Sequence, residues 1–158
     1  MRLSLVHVAL ALAALATLLV AVSGCDERPS AAVVRADWTR TPGALNPAVT
    51  QATIGETICV RGWTRTIRPP TSYTNELKAR HLREYGLSGP LADFQEDHLI
   101  SLELGGHPTD PRNLWPEPYP RARDVDQIEN DLREKVCSGE LTLAEAQRRE
   151  SELKHRDG

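Results

Sequence analysis

Asp97 and His98 stand side by side, and Asn113 follows after a loop that holds Gly105, Gly106, Pro108 and Pro111. A carboxylate beside an imidazole joins two chemical abilities. The carboxylate is a hard oxygen donor suited to Mg2+ or Mn2+. The neutral imidazole takes up a proton near neutral pH. Phosphodiester hydrolysis uses both. The base activates water, and the cation offsets the negative charge that develops at phosphorus and on the leaving oxygen.

These residues need elements to position them. The spacing predicts a strand over Asp97 to Ile100 and a second short strand over Asn113 to Trp115, ended by Pro116, Pro118 and Pro120. Side chains alternate along a strand, so Asp97 and His98 start on opposite faces, and a local twist or bulge can bring both towards one site. A helix is expected from Arg121 to Val136, with Val125, Ile128, Leu132 and Val136 on one face and Gly139 as its stop. Thr142 to Glu145 reads as a capping box for a last helix. That helix is expected to fray beyond Gln147, because Leu153 is the one large apolar residue after it. Upstream, Thr53 to Thr66 reads as extended chain, broken by Arg68-Pro69-Pro70. A further helix capped by Thr74 places Leu77, His81, Leu82 and Tyr85 on one face, and Gly86 closes it. His81, Trp63 and Trp115 read as core, and His107 as a solvated loop residue.

Asp97-His98-Leu99-Ile100, then Leu104-Gly105-Gly106, then Asn113-Leu114 and a helix, resembles the signature of the HNH (ββα-metal, His-Me finger) nucleases. The longer strings EDHLISLELGG, DPRNLWPEP and GWTRTIRPP are similar to a group of small exported bacterial proteins with an HNH-like motif. The motif spans about residues 94–137 and the wider resemblance about 53–147. It implies a small single α+β domain with a ββα-metal core and flanking helices. It implies Asp97 as the first-strand ligand of a divalent metal (Mg2+ or Mn2+), His98 as the general base, and Asn113 as the brace that orients the base. The helix ligand is usually His or Asn. No His occurs between His107 and His155, so Asp124 is the expected substitute and Asn130 the second choice. The implied activity is endonuclease cleavage of DNA or RNA. The alternative is a non-catalytic lipoprotein on the same scaffold that binds nucleic acid or an anionic cell-wall polymer. A purely structural envelope protein is a third reading.

The chain has 158 residues, 40% hydrophobic and 26% charged, with a net charge of -3, which excludes collagen-like and low-complexity classes. Residues 3–22 are nearly all apolar, Arg2 precedes them, and Val22-Ser23-Gly24-Cys25 follows. That layout predicts a secretory signal over residues 1–24. Its ending resembles the lipobox of bacterial lipoproteins, in which Cys25 is acylated and becomes the new N-terminus. An uncleaved membrane anchor is the rival reading. Residues 25–50, with Pro29, Pro42, Gly43 and Pro47, read as a flexible tether, and residues 51–155 as the HNH-like domain. The domain is therefore expected outside the cytoplasm, lipid-anchored at the bacterial cytoplasmic membrane or in the periplasm. In that oxidising compartment Cys59 and Cys137 are expected to pair, with two buried thiols as the alternative. Residues 61–83 hold Arg61, Arg65, Arg68, Lys78, Arg80 and Arg83 against Glu76 alone. Arg61, Arg65 and Arg68 are candidate nucleic-acid phosphate contacts, weighed against a merely solvated basic face.

Overall fold

The computed structural model describes residues 33–158. The signal segment, the lipobox with Cys25 and residues 25–32 of the expected tether lie outside the described residues.

Strand β1 (Phe94–His98) pairs antiparallel with β2 (Leu114–Pro118), Asp97 opposite Trp115 and His98 opposite Leu114. The first strand thus starts earlier than expected and ends at His98. The second runs through Pro116 and Pro118 instead of stopping there. The phase of the ladder explains this. The Leu99 amide donates to the Asn113 carbonyl at 2.8 Å, and the Tyr119 amide donates to the Asp93 carbonyl at 2.9 Å. Hydrogen-bonded pairs alternate in an antiparallel ladder, so Trp115 and Glu117 turn their amides towards β1. Positions 116 and 118 turn theirs away, where proline forfeits nothing.

Four helices flank the hairpin among the described residues: α1 (Trp63–Ile67), α2 (Thr71–Glu84), α3 (Arg121–Ser138) and α4 (Leu143–Arg156). With the two-stranded sheet they make a small α+β domain. None of these helices is long and apolar enough to cross a membrane. The chain over Thr53–Thr66 is not extended. It forms a 3-10 turn (Ile54–Glu56) and most of α1. Its threonines satisfy nearby backbone: the Thr57 hydroxyl donates to the Thr53 carbonyl at 2.7 Å, and Thr66 donates to the Trp63 carbonyl at 2.6 Å. Such local bonds favour turns over a ladder. Helix α2 begins at Thr71 rather than at Thr74.

Helix α3 buries Val125, Leu132 and Val136 and ends at Gly139, whose φ of +80° suits a residue without a Cβ. Thr142 caps α4 by accepting from the Glu145 amide at 3.2 Å. Helix α4 does not fray at Gln147. It continues to Arg156 because Glu150, Lys154 and His155 are buried against the rest of the domain. Ile58, Ile100, Leu104, Leu132, Val136 and Leu143 belong to the main apolar cluster. Trp115 is fully buried in a second cluster, with Leu99 and Ala36, and Trp63 packs half-buried against the first.

Residues 33–50, expected as tether, lie against the domain. Ala36, Thr41 and Val49 are buried, and the Ala36 amide donates to the Lys154 carbonyl at 3.0 Å. Trp38 stacks on His155 with ring centroids 3.6 Å apart.

Cys59 and Cys137 form a disulfide across 78 residues and tie the chain before α1 to the last turn of α3. Closing a loop of that size restricts the unfolded chain by about 4 kcal/mol. The Cys59→Ser/Cys137→Ser double variant is therefore expected to lose about 2–5 kcal/mol in urea unfolding. A midpoint equal to that of the wild type would show that the disulfide contributes nothing to stability.

Candidate active site

The sheet has two strands, so one edge of β1 is open. A cleft of about 540 Å3 lies between the segment from Arg68 to Thr74 and α3, and Gln95, Glu96, Asp97 and His98 all line it. Side chains that alternate between faces share one cleft when it follows the strand's edge. Of the twist or bulge expected there, the bulge is absent, since β1 and β2 pair residue for residue. Helix α3 contributes Asp126, Glu129 and Asn130 to the opposite wall.

His98 is held by its loop. Its Nε2 lies 3.1 Å from the Pro108 carbonyl, an acceptor, so Nε2 carries the hydrogen and Nδ1 keeps the lone pair. Burial pushes the imidazole below its ordinary pKa, although Asp97 beside it works in the other direction. His98 is therefore neutral at pH 7.

Asn113 fixes that loop. Its Oδ1 accepts from the Ile100 amide at 3.0 Å, and its Nδ2 donates to the carbonyls of Ile100 at 2.9 Å and His107 at 3.1 Å. Gly106 is what allows the approach: a Cβ there would stand 1.7 Å from the Ile100 carbonyl oxygen and 2.7 Å from Asn113 Nδ2. Asn113 is fully buried and does not line the cleft. It positions the end of β1 and touches nothing that could react. His107 is likewise a loop brace, its Nδ1 accepting from the Asp110 amide at 3.0 Å.

Asp97 has both oxygens engaged. Oδ1 accepts from Gln95 Nε2 at 3.0 Å, and Oδ2 accepts from Lys154 Nζ at 2.8 Å. Lys154 is fully buried in the last part of α4. Its ammonium also meets Glu129 at 2.7 Å, Glu150 at 3.3 Å and the carbonyl of His98. Burial would raise the Asp97 pKa, but the Lys154 charge outweighs it and holds the carboxyl low. Burial would lower the Lys154 pKa, but the carboxylates around it keep the ammonium charged. Burial pushes Glu129 and Glu150 up, against the pull of Lys154. Glu117 on β2 is fully buried with no partner on either oxygen, and burial, with Asp97 adding to it, pushes it up to about 8. Sequence reasoning missed this cluster. The available signal was Glu150 and Lys154 four residues apart, on the face of α4 that begins with Leu143 and Ala146.

The remaining expectations divide. Asp124 is exposed on α3 and does not line the cleft. It precedes Asp126 by two residues, about 200° around the helix, so it cannot share that wall. The second choice, Asn130, does line the cleft, together with Asp126, which was not singled out. His81 is buried as expected, its Nδ1 2.6 Å from Glu96. Arg61, Arg65 and Arg68 come together along a second cleft of about 460 Å3, and Arg68 lines both.

Asp97, Asp126 and Asn130 offer hard oxygens to one space. Burial first, and then the charge of Asp97, raise the Asp126 pKa. Among the described residues, no group of three or more His, Cys, Asp or Glu is gathered to hold a metal. Mg2+ fits such a pair in kind, since it uses one or two carboxylates and keeps several waters.

No family model, no curated protein and no solved structure matches this chain.

Two stability effects follow from the buried charges. Lys154→Met removes the buried partner shared by Asp97, Glu129 and Glu150 and is expected to cost about 3–5 kcal/mol in chemical unfolding. Glu117 has a folded pKa raised from 4.5 to about 8, so its protonated form stabilises fully below 4.5 and that contribution is lost as pH rises towards 8. Gln cannot ionise. Glu117→Gln should then melt like the wild type near pH ~4 and progressively above it towards pH ~8.5. A gap between the two melting curves that stays constant with pH would contradict this.

Proposed function

We propose that this chain is a divalent-metal-dependent nuclease of the HNH (ββα-metal) kind, which hydrolyses phosphodiester bonds in DNA or RNA. The reading places it outside the cytoplasm, on a lipid anchor at Cys25. The observation that carries it is His98: an imidazole whose Nε2 is held by the Pro108 carbonyl, lining the same cleft as Asp97. The chain order of β1, β2 and α3 supports the core that the sequence resemblance implies.

In this mechanism Nδ1 of His98 takes a proton from the attacking water, and the Pro108 carbonyl stabilises the imidazolium that results. Asn113 keeps the loop and the base in register. Asp97 and Asp126, with Asn130, would hold Mg2+ or Mn2+, which supplies charge neutralisation at the phosphate. Arg68 brings a guanidinium to the same cleft.

A second reading, the non-catalytic binder of nucleic acid or anionic wall polymer, is favoured by one observation. Both oxygens of Asp97 already have partners in Gln95 and Lys154.

The full chain in detergent, with Mg2+, is expected to nick plasmid DNA. His98→Ala should slow this by about 10^2–10^4-fold. Asp97→Asn should weaken the heat of Mg2+ or Mn2+ binding in a calorimetric titration. The rate should fall only as pH drops below the ordinary histidine pKa of 6.5. Equal nicking by wild type and His98→Ala refutes the mechanism. Absence of both nicking and metal heat supports the binder.

A further inference from the structure

We infer that the second cleft is a phosphate subsite for the nucleic-acid backbone, independent of metal, with Arg133 as its unassigned wall. Arg61, Arg65 and Arg68 face Arg133 there, with Glu103 the single carboxylate among the lining residues. The inference rests on the nuclease reading only for the identity of the ligand.

Three observations support it. The first is lack of neutralisation. Among the described residues, Arg40, Arg80, Arg112 and Arg149 each have a carboxylate within salt-bridge distance. Arg61, Arg65, Arg68 and Arg133 have none, and they line one cleft in which Glu103 is the single carboxylate. Like charges gathered in a concave site raise the local concentration of a polyanion.

The second is that the cleft is built. Arg133 Nε donates to the Ile58 carbonyl at 2.8 Å, across 75 residues, which fixes the side chain and leaves its two terminal nitrogens available. The Cys59–Cys137 disulfide joins the next residue along from Ile58 to the next turn of α3 after Arg133. The covalent link and the hydrogen bond together hold the segment bearing Arg61 and Arg65 against α3.

The third is continuity. The two clefts share Arg68, Glu103 and Asn130. One is rich in carboxylates around Asp97, and the other in guanidiniums. A strand whose scissile phosphate lies beside His98 carries its neighbouring phosphates towards the arginines. No Phe, Trp or Tyr lines either cleft among the described residues, so neither cleft offers an aromatic platform of that kind for base stacking.

The test is binding of a fluorescein-labelled DNA duplex to the full chain in detergent, with EDTA present, followed by anisotropy. The wild type should bind without metal, and two duplexes of different base composition should bind equally. Arg61→Gln/Arg65→Gln changes two exposed side chains with no internal partner and should weaken binding about tenfold. It should also flatten the salt dependence by roughly two units of log-log slope, about 0.9 for each lost phosphate contact. Arg133→Gln should weaken binding at least threefold. Arg80→Gln/Arg83→Gln removes the same charge from α2, away from both clefts, and should stay within twofold. Wild-type-like binding by both cleft variants, or an equal loss in the α2 control, overturns the subsite. Equally tight binding of a poly(glycerol phosphate) overturns the assignment to nucleic acid. A chain that binds but never nicks refutes the nuclease reading and leaves the subsite standing. A chain that nicks, and whose cleft variants bind like the wild type, refutes the subsite alone.

Discussion

One buried ammonium holds the molecule's working parts in place. Lys154 reaches from α4 to Asp97 and the carbonyl of His98 on β1, and to Glu129 on α3. Its own carbonyl accepts from Ala36, so the chain before the first helix is attached at the same point. A desolvated charge without partners is among the costliest things a fold can contain. Strand, helices and leading segment therefore cannot move apart separately. The arrangement fixes which way Asp97 points, and through the backbone it fixes the end of the strand that carries His98.

The cluster is short of positive charge. One ammonium serves Asp97, Glu129 and Glu150, with Glu117 beside Asp97. Burial answers this in part by keeping Glu117 protonated. On the open side, Asp97 and Asp126 line the same cleft. The arginines of the neighbouring cleft are the converse, four positive charges with Glu103 as the single carboxylate among them. The trough thus has two ends of opposite sign, joined at Arg68, Glu103 and Asn130.

Two clamps keep this geometry. Asn113 saturates its amide against Ile100 and His107, in a space that only glycine at 106 leaves open. The disulfide does for the arginine segment what Asn113 does for the loop. The first clamp sets the end of β1 that carries His98, and the second sets the wall that carries the arginines.

The limits of α3, the cap of α4 and the hairpin bearing Asp97, His98 and Asn113 were legible in the sequence. Periodicity, capping and loop glycines act within a turn or two of helix, or across one tight connection. The tertiary structure alone decided the rest. Two prolines sit inside β2 because of ladder phase. Thr53–Thr66 coils instead of extending, and residues 33–50 lie on the domain. Asp126 and Asn130, not Asp124, face Asp97. The polar end of α4 is core. Glu150 and Lys154 look like a solvated helix face when read alone. They are buried because their partners arrive from β1 and α3, and no local pattern encodes a partner that far along the chain.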